Sequence, residues 1–292
     1  MKIAIIGVGR MGRWFAKFFV DEGFHVVVSD ESREKALKLK EELNVEVASN
    51  VEAVKNADRI LICVPIENFQ KVVEEIHPQI SPGQEVMDIC SVKALPVKIM
   101  HNYIKQAVTL GTHPMFGPGV KSVKNQKFIL TPTNSKEEKL AENFKRWLEE
   151  KGFRVFFMSP EEHDRVMSTV IGLPYLLSYA ACDALLSQSI FSEAKKVSGA
   201  SYRILITLIE AIASENAEFT ASLQMNLPEV DVVGEKLLEK IGDWLETVRK
   251  GDKKGFIDKV DRLKSRLANA DPDYAKSYET MYKMLDAIKN ES

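Results

Sequence analysis

The chain has 292 residues, 45% of them apolar and 28% charged, with a formal net charge of −2. That length supports one large domain or two of ordinary size with ample core, and the mixed, near-neutral charge gives no footing for a nucleic acid or an anionic membrane as partner. Three widely spaced cysteines in apolar context, Cys63, Cys90 and Cys182, read as buried thiols of a reducing cytoplasm and not as a disulfide framework or a zinc site.

Taken in chain order, Lys2–Ile6 is a short β-branched run. Its apolar stretch ends in Gly-x-Gly too soon for a secretory signal. Gly7-Val8-Gly9-Arg10-Met11-Gly12 follows and opens an amphipathic stretch, Gly12–Glu22. In a strand-to-helix context Gly7 makes the tight turn, Gly9 lets the backbone approach a pyrophosphate, and Gly12 permits close packing of helix on strand. The helix N-terminus at Arg10 and Met11 offers free N–H groups and a positive dipole end. A second strand, His25–Ser29, is closed by Asp30. A carboxylate there accepts hydrogen bonds from adenosine ribose hydroxyls and repels a 2′-phosphate, which favours NAD; Ser32 and Arg33 keep NADP open. After an amphipathic stretch at Arg33–Leu43, the third strand, Arg59–Val64, closes on Cys63-Val64-Pro65. This turn either lines a nicotinamide pocket or is an ordinary strand-to-helix turn.

A fourth strand, Glu85–Ile89, leads into Asp88-Ile89-Cys90-Ser91-Val92-Lys93, and a fifth, Val108–Leu110, into the loop Gly111-Thr112-His113-Pro114-Met115-Phe116-Gly117-Pro118-Gly119. Lys127–Thr131 and Arg154–Met158 complete the strands. Alternation of strands and helices predicts a doubly wound parallel (Rossmann) sheet over residues 1–158. Residues 159–292 read as helical, punctuated by Pro160, Pro228 and Pro272. Val166–Leu186 carries Asp183 as its one charge, but its Gly, Pro, Ser and Thr favour a buried helix over a membrane span, kinked at Leu173-Pro174. With a second apolar stretch, Tyr202–Ala213, it exceeds what one small domain can cover, so a homodimer is expected.

Ligands of open α/β sheets bind beyond the carboxyl ends of the strands, which turns Ser91 and His113 toward a bound nicotinamide. A histidine there can exchange a proton while the nicotinamide exchanges a hydride. At these residues the chain resembles the prephenate dehydrogenase family of tyrosine biosynthesis. The match is carried by the glycine motif, Ser91-Val92-Lys93, Gly-Thr-His-Pro-Met-Phe-Gly-Pro, Glu162-His163-Asp164-Arg165 and Gln224-Met225-Asn226-Leu227-Pro228. The resemblance implies an NAD(P)-dependent oxidative decarboxylation of prephenate or arogenate. His113 matches the general base, and Ser91 matches a serine that bonds the substrate hydroxyl and orients the histidine. Position Ile171 and the stretch Leu173-Pro174-Tyr175 depart from the family's glutamine and histidine, and Ala211 from its carboxylate-binding arginine. Tyr175 remains a possible hydrogen-bond donor, and Arg203, Arg165 and Lys93 are substitute cations, with Arg203 preferred. His163, before an aspartate at a helix start, reads as a capping or packing residue. His25, His77 and His101 have no supporting context. No appended regulatory domain is visible. Two other functions stay open: a related nicotinamide enzyme acting on another small carboxylate, and a nucleotide-binding sensor without catalysis.

Overall fold

A computed structural model describes residues 1–289. They divide into one unit of Met1–Met167 with Met225–Leu227, and a second of Ser168–Gln224 with the chain from Pro228. In the first unit, strands β1 (Lys2–Ile6), β2 (His25–Ser29), β3 (Glu46–Val47), β4 (Arg59–Ile62), β5 (Glu85–Asp88), β6 (Val108–Pro114), β7 (Lys127–Thr131) and β8 (Arg154–Phe157) form a single sheet. Its order is β3-β2-β1-β4-β5-β6-β7-β8. Helices α1 (Arg10–Asp21), α2 (Arg33–Leu43), α3 (Asn50–Lys55), α4 (Ile66–Ile76), α5 (Ala94–Tyr103) and α6 (Ser135–Glu150) connect the strands, and α7 (Pro160–Met167) closes the unit. The strand order reverses between β1 and β4, the switch point at which such sheets bind ligands.

The central strands are buried on both faces, so they read as unbroken apolar runs. Ile3 and Ile5 join Phe15, Phe19, Phe128 and Phe144 on one side, while Ala4 and Ile6 join Phe69, Val73, Val97 and Met100 on the other. Each large side chain so buried contributes about 1.5–3 kcal/mol. Helix starts follow local chemistry: Ser49 and Glu52 form a capping box on α3, and the Asn134 side chain accepts the Lys136 and Glu137 N–H groups at α6.

Two features depart from the sequence expectation. The first six strands are parallel, but β7 runs antiparallel to β6, with β8 parallel to β7. Pairing of Gly111–Pro114 with Phe128–Thr131 extends β6 four residues beyond Leu110. His113 therefore sits in a strand, opposite Ile129, and not in a loop. The first compact unit also takes in α7, as far as Met167, together with Met225–Leu227, which lie past the expected seam at Met158. Side chains at the middle of α7 bond back to β6 and to the start of α5, and so hold this helix to the sheet.

The second unit begins with a π-helical turn, Ser168–Gly172, and continues through α8 (Leu173–Leu186), α9 (Phe191–Lys196), α10 (Ala200–Ala213), α11 (Ala217–Asn226), α12 (Val230–Arg249), α13 (Lys253–Ala270) and α14 (Ser277–Lys289). Pro174 falls in the first turn of α8, directly after the π turn, where its missing N–H and its ring disturb the helical ladder least. A Cβ on Gly172 would lie 2.7 Å from Val230 Cγ2, so glycine lets this turn meet the start of α12. Helix α10 packs on α8 and α14, and α12 on α8 and α13. The helical run Pro160–Leu186 is long and apolar enough to cross a membrane by length and composition. Only 11% of its most apolar window is buried within this chain, so the expected burial is not reached in a single copy.

Candidate active site

Strands β1, β4, β5 and β6 are parallel and finish at one edge of the sheet. Gly7 follows β1, Cys63-Val64-Pro65 follows β4, Asp88 ends β5 shortly before Ser91, and His113 is the next-to-last residue of β6.

At the β1 end, Gly7 has φ +94° and donates its N–H to Ser29 O at 2.8 Å. A Cβ at Gly7 would lie 2.8 Å from Cys63 O, and one at Gly12 only 1.9 Å from Gly7 O. A Cβ at Gly9 would meet nothing within 4 Å. Gly7 and Gly12 are thus fixed by the fold itself, whereas Gly9 leaves open space before the α1 N-terminus at Arg10 and Met11. No acidic side chain occupies that first turn. Asp30 accepts the Val8 N–H at 2.7 Å and the Ser32 N–H at 2.9 Å, which ties the glycine turn to the end of β2. Half-buried Val64 lies 3.0 Å from where a Gly7 Cβ would stand, and exposed Pro65 forms the N-cap of α4. An open glycine, a bare helix N-terminus and an anchored carboxylate fit the pyrophosphate and ribose of a dinucleotide.

The β5 and β6 ends are denser. His113 Nδ1 lies 2.8 Å from His163 Nε2, and His163 Nδ1 lies 2.8 Å from Asp164 Oδ1. Asp164 also accepts the Lys93 N–H at 2.6 Å and the Ala94 N–H at 2.9 Å, so it caps α5 while holding His163. Both imidazoles are buried. Burial, with His163 and Lys93 alongside, holds His113 well below the usual histidine range. Burial lowers His163 too, against the opposing effect of its hydrogen bond to the Asp164 carboxylate. His113 is therefore neutral at physiological pH and able to take a proton.

Beside the histidines lies a buried ion pair. Lys93 Nζ bonds Asp88 Oδ1 and, at 2.6 Å, Thr112 O. Burial pushes the Asp88 carboxyl up although Lys93 opposes it, and Asp88 Oδ2 has no hydrogen-bond partner among the described residues. Burial also pushes the Cys63 and Cys90 thiols up, which removes both as nucleophiles at neutral pH. All three cysteines are free. No group of three or more metal-ligating side chains occurs among the described residues.

Three sequence expectations change here. Lys93 is not placed to meet a substrate carboxylate: its ammonium is fully buried and committed to Asp88 and Thr112. Ser91 is half-buried after β5, and the hydrogen bond seen at His113 Nδ1 is with His163 and not with Ser91. His163 is not a simple cap, since it stands directly against His113. Nothing local in the sequence marked the pair, which is 50 residues apart. The one signal was the Glu-His-Asp-Arg match at the start of α7. In the helical unit, Tyr175 on α8 is half-buried and touches Tyr179 edge-on, with its hydroxyl pKa raised by burial and by Glu215 and Tyr179. Arg203 is on α10, which packs on α8. Arg165 is exposed on α7.

Comparison with known proteins adds the identity of both parts. Residues 15–157 match the nucleotide-binding domain of prephenate dehydrogenase, and residues 159–262 its dimerization domain. The chain is 33% identical over 264 residues, 88% of its length, to a probable arogenate/prephenate dehydrogenase of Methanocaldococcus jannaschii, and spans 59% of that protein. It is 25% identical over 234 residues to the prephenate dehydrogenase of Bacillus subtilis, covering 76% of this chain and 60% of that one. The crystal structure of prephenate dehydrogenase from A. aeolicus with hydroxyphenyl propionate and NAD+ shares the fold, with a TM-score of 0.76 at 23% identity over 93% of this chain and 98% of that one. A nucleotide-binding α/β unit, a helical dimerization unit and the matched sequence motifs together make this chain a member of the prephenate dehydrogenase family.

Proposed function

We propose that this protein is an NAD-dependent dehydrogenase that oxidatively decarboxylates prephenate, with arogenate as the alternative substrate. The observation that carries the reading is a buried, neutral His113 on the same sheet edge as the Gly7–Gly12 turn. Bound at that turn, NAD supplies the hydride acceptor. His113 Nε2 takes the proton of the ring hydroxyl while the carbon bearing it loses hydride, and the bond to the ring carboxylate breaks to release carbon dioxide as the ring becomes aromatic. Ser91 bonds the substrate hydroxyl. Asp30 selects NAD over NADP through the ribose hydroxyls. Arg203 is the cation for a substrate carboxylate, with Tyr175 as a further donor.

Apolar Ile171 and aromatic Tyr175, where the family resemblance implies a glutamine and a histidine, favour a second reading, a nicotinamide enzyme acting on a different small carboxylate. Exposed apolar side chains on the helical unit, among them Leu177, Leu186, Leu205 and Leu208, support a homodimer through this unit. The unpaired cysteines fit the cytoplasm, although an Arabidopsis relative is named chloroplastic. The decisive assay offers NAD and NADP separately with prephenate and arogenate, following cofactor reduction and carbon dioxide release. His113→Asn should lower turnover about 10²–10⁴-fold with NAD affinity unchanged. NAD binding without turnover of either substrate would refute the decarboxylase reading.

A further inference from the structure

Asp164, His163 and His113 form a single hydrogen-bonded line within the first unit. Both carboxylate oxygens of Asp164 already accept backbone N–H groups, Oδ1 from Lys93 and Oδ2 from Ala94. His163 Nδ1, 2.8 Å from Oδ1, is then the donor to that carboxylate. A neutral imidazole carries one N–H, so His163 Nε2 is left as a bare acceptor. At 2.8 Å from His113 Nδ1, it takes the N–H of that nitrogen. The lone pair of His113 therefore lies on Nε2, the ring nitrogen that His163 does not engage.

We propose that His163 and Asp164 are positioning residues that hold His113 in its Nδ1–H tautomer, keeping Nε2 permanently ready to accept the substrate's proton. The proposal rests on the reading of His113 as the general base. Its necessity is chemical: with the proton on Nε2 the ring would offer a donor to the substrate hydroxyl and could abstract nothing. The neutral histidine side chain in water prefers the Nε2–H form, so the fold must impose the other one. His163 is fully buried, and no solvent competes for its bond to His113. Once His113 takes a proton, its Nδ1–H bond becomes charge-assisted, with the Asp164 carboxylate behind His163. This division of labour follows the logic by which an acidic residue fixes the tautomer of a histidine base in serine hydrolases. Asp164 also caps α5, so a purely structural role must be separated from the tautomeric one.

The test uses the full chain labelled at its histidine rings, with the five histidines assigned by single substitutions. Long-range nitrogen–proton couplings report which nitrogen carries the hydrogen. His113 should show the Nδ1–H form in the unmodified protein. His163→Gln, whose amide oxygen can occupy the place of Nε2, should preserve that form and most of the turnover. His163→Leu, which removes the acceptor, should shift His113 to Nε2–H and lower kcat about 10²-fold with KM little changed. An Nε2–H form of His113 in the unmodified protein would overturn the proposal, even if the leucine variant fails to fold. So would an unchanged tautomer in a folded His163→Leu. Turnover surviving in His113→Asn would instead overturn the base assignment, a result independent of the ring-nitrogen spectra.

Discussion

Replacing Lys93 with methionine separates two roles that sequence alone could not. A substrate-binding lysine would lose affinity and leave stability intact, whereas the structure places Lys93 and Asp88 in a pair with both side chains fully buried. Methionine keeps the apolar stem but removes the ammonium, leaving Thr112 O without its donor and Asp88 without its counter-charge. Breaking one partner of a buried pair costs about 3–5 kcal/mol. For a unit of this size that corresponds to a fall in Tm of roughly 6–20 °C. The loss should depend on pH in a defined direction. Burial already raises the Asp88 carboxyl above its usual range, and removing Lys93 raises it further. A carboxyl whose folded pKa exceeds its unfolded value gives stability below the unfolded pKa that is lost as pH rises through the folded one. Lys93→Met should therefore lie closer to the unmodified protein near about pH 5 than near about pH 8. Adding Asp88→Asn should recover more than half of the loss. Thermal melts of the two single variants and the double variant across pH provide the measurement. An unchanged Tm with a raised KM would refute this account and return Lys93 to the substrate.

Gly9→Ala should melt with the unmodified protein yet bind NAD at least ~10-fold more weakly, since its Cβ enters open space in front of the α1 N-terminus. Gly12→Ala should lose about 1–3 kcal/mol or more of stability through its clash with Gly7 O; calorimetry and NAD titration read both. The acid limb of kcat/KM should fall below the usual histidine value of about 6.5, because burial and the neighbouring His163 and Lys93 hold His113 neutral to lower pH. Protonating His163, which faces Asp164, Lys93 and Asp88, would present a donor to His113 and stop the reaction on the same limb. An acid limb above that value would contradict this arrangement.

The sequence was most legible where function lies along one stretch of chain. The glycine turn, Asp30, and the strands Lys2–Ile6, His25–Ser29 and Lys127–Thr131 follow from local periodicity and turn chemistry. The family motifs located His113. Less legible were arrangements set by pairing across the fold. The antiparallel β7 converts an apparent loop into strand at Gly111–Pro114, and no period-2 signal announces it because Gly and Pro break the pattern. The two-residue β3 is too short to show alternation. Lys93 looked available because a lysine is rarely buried, and its partner Asp88 reads as an ordinary strand-end residue. A His-Asp pair at a helix start has a local explanation as a cap, while the real partner of His163 lies across the unit.

The position of α7 has a consequence for how such a protein can be divided. The natural seam by sequence, at the end of the last strand, falls ahead of His163 and Asp164, so an excision made there would take the nucleotide turn and His113 but abandon both groups behind the ring. The same cut would uncover the Lys93 and Ala94 N–H groups at the head of α5. Recombination between relatives that is to preserve the proton-handling side of the site must therefore inherit α7 together with the sheet, along with Met225–Leu227, which belong to the same compact unit.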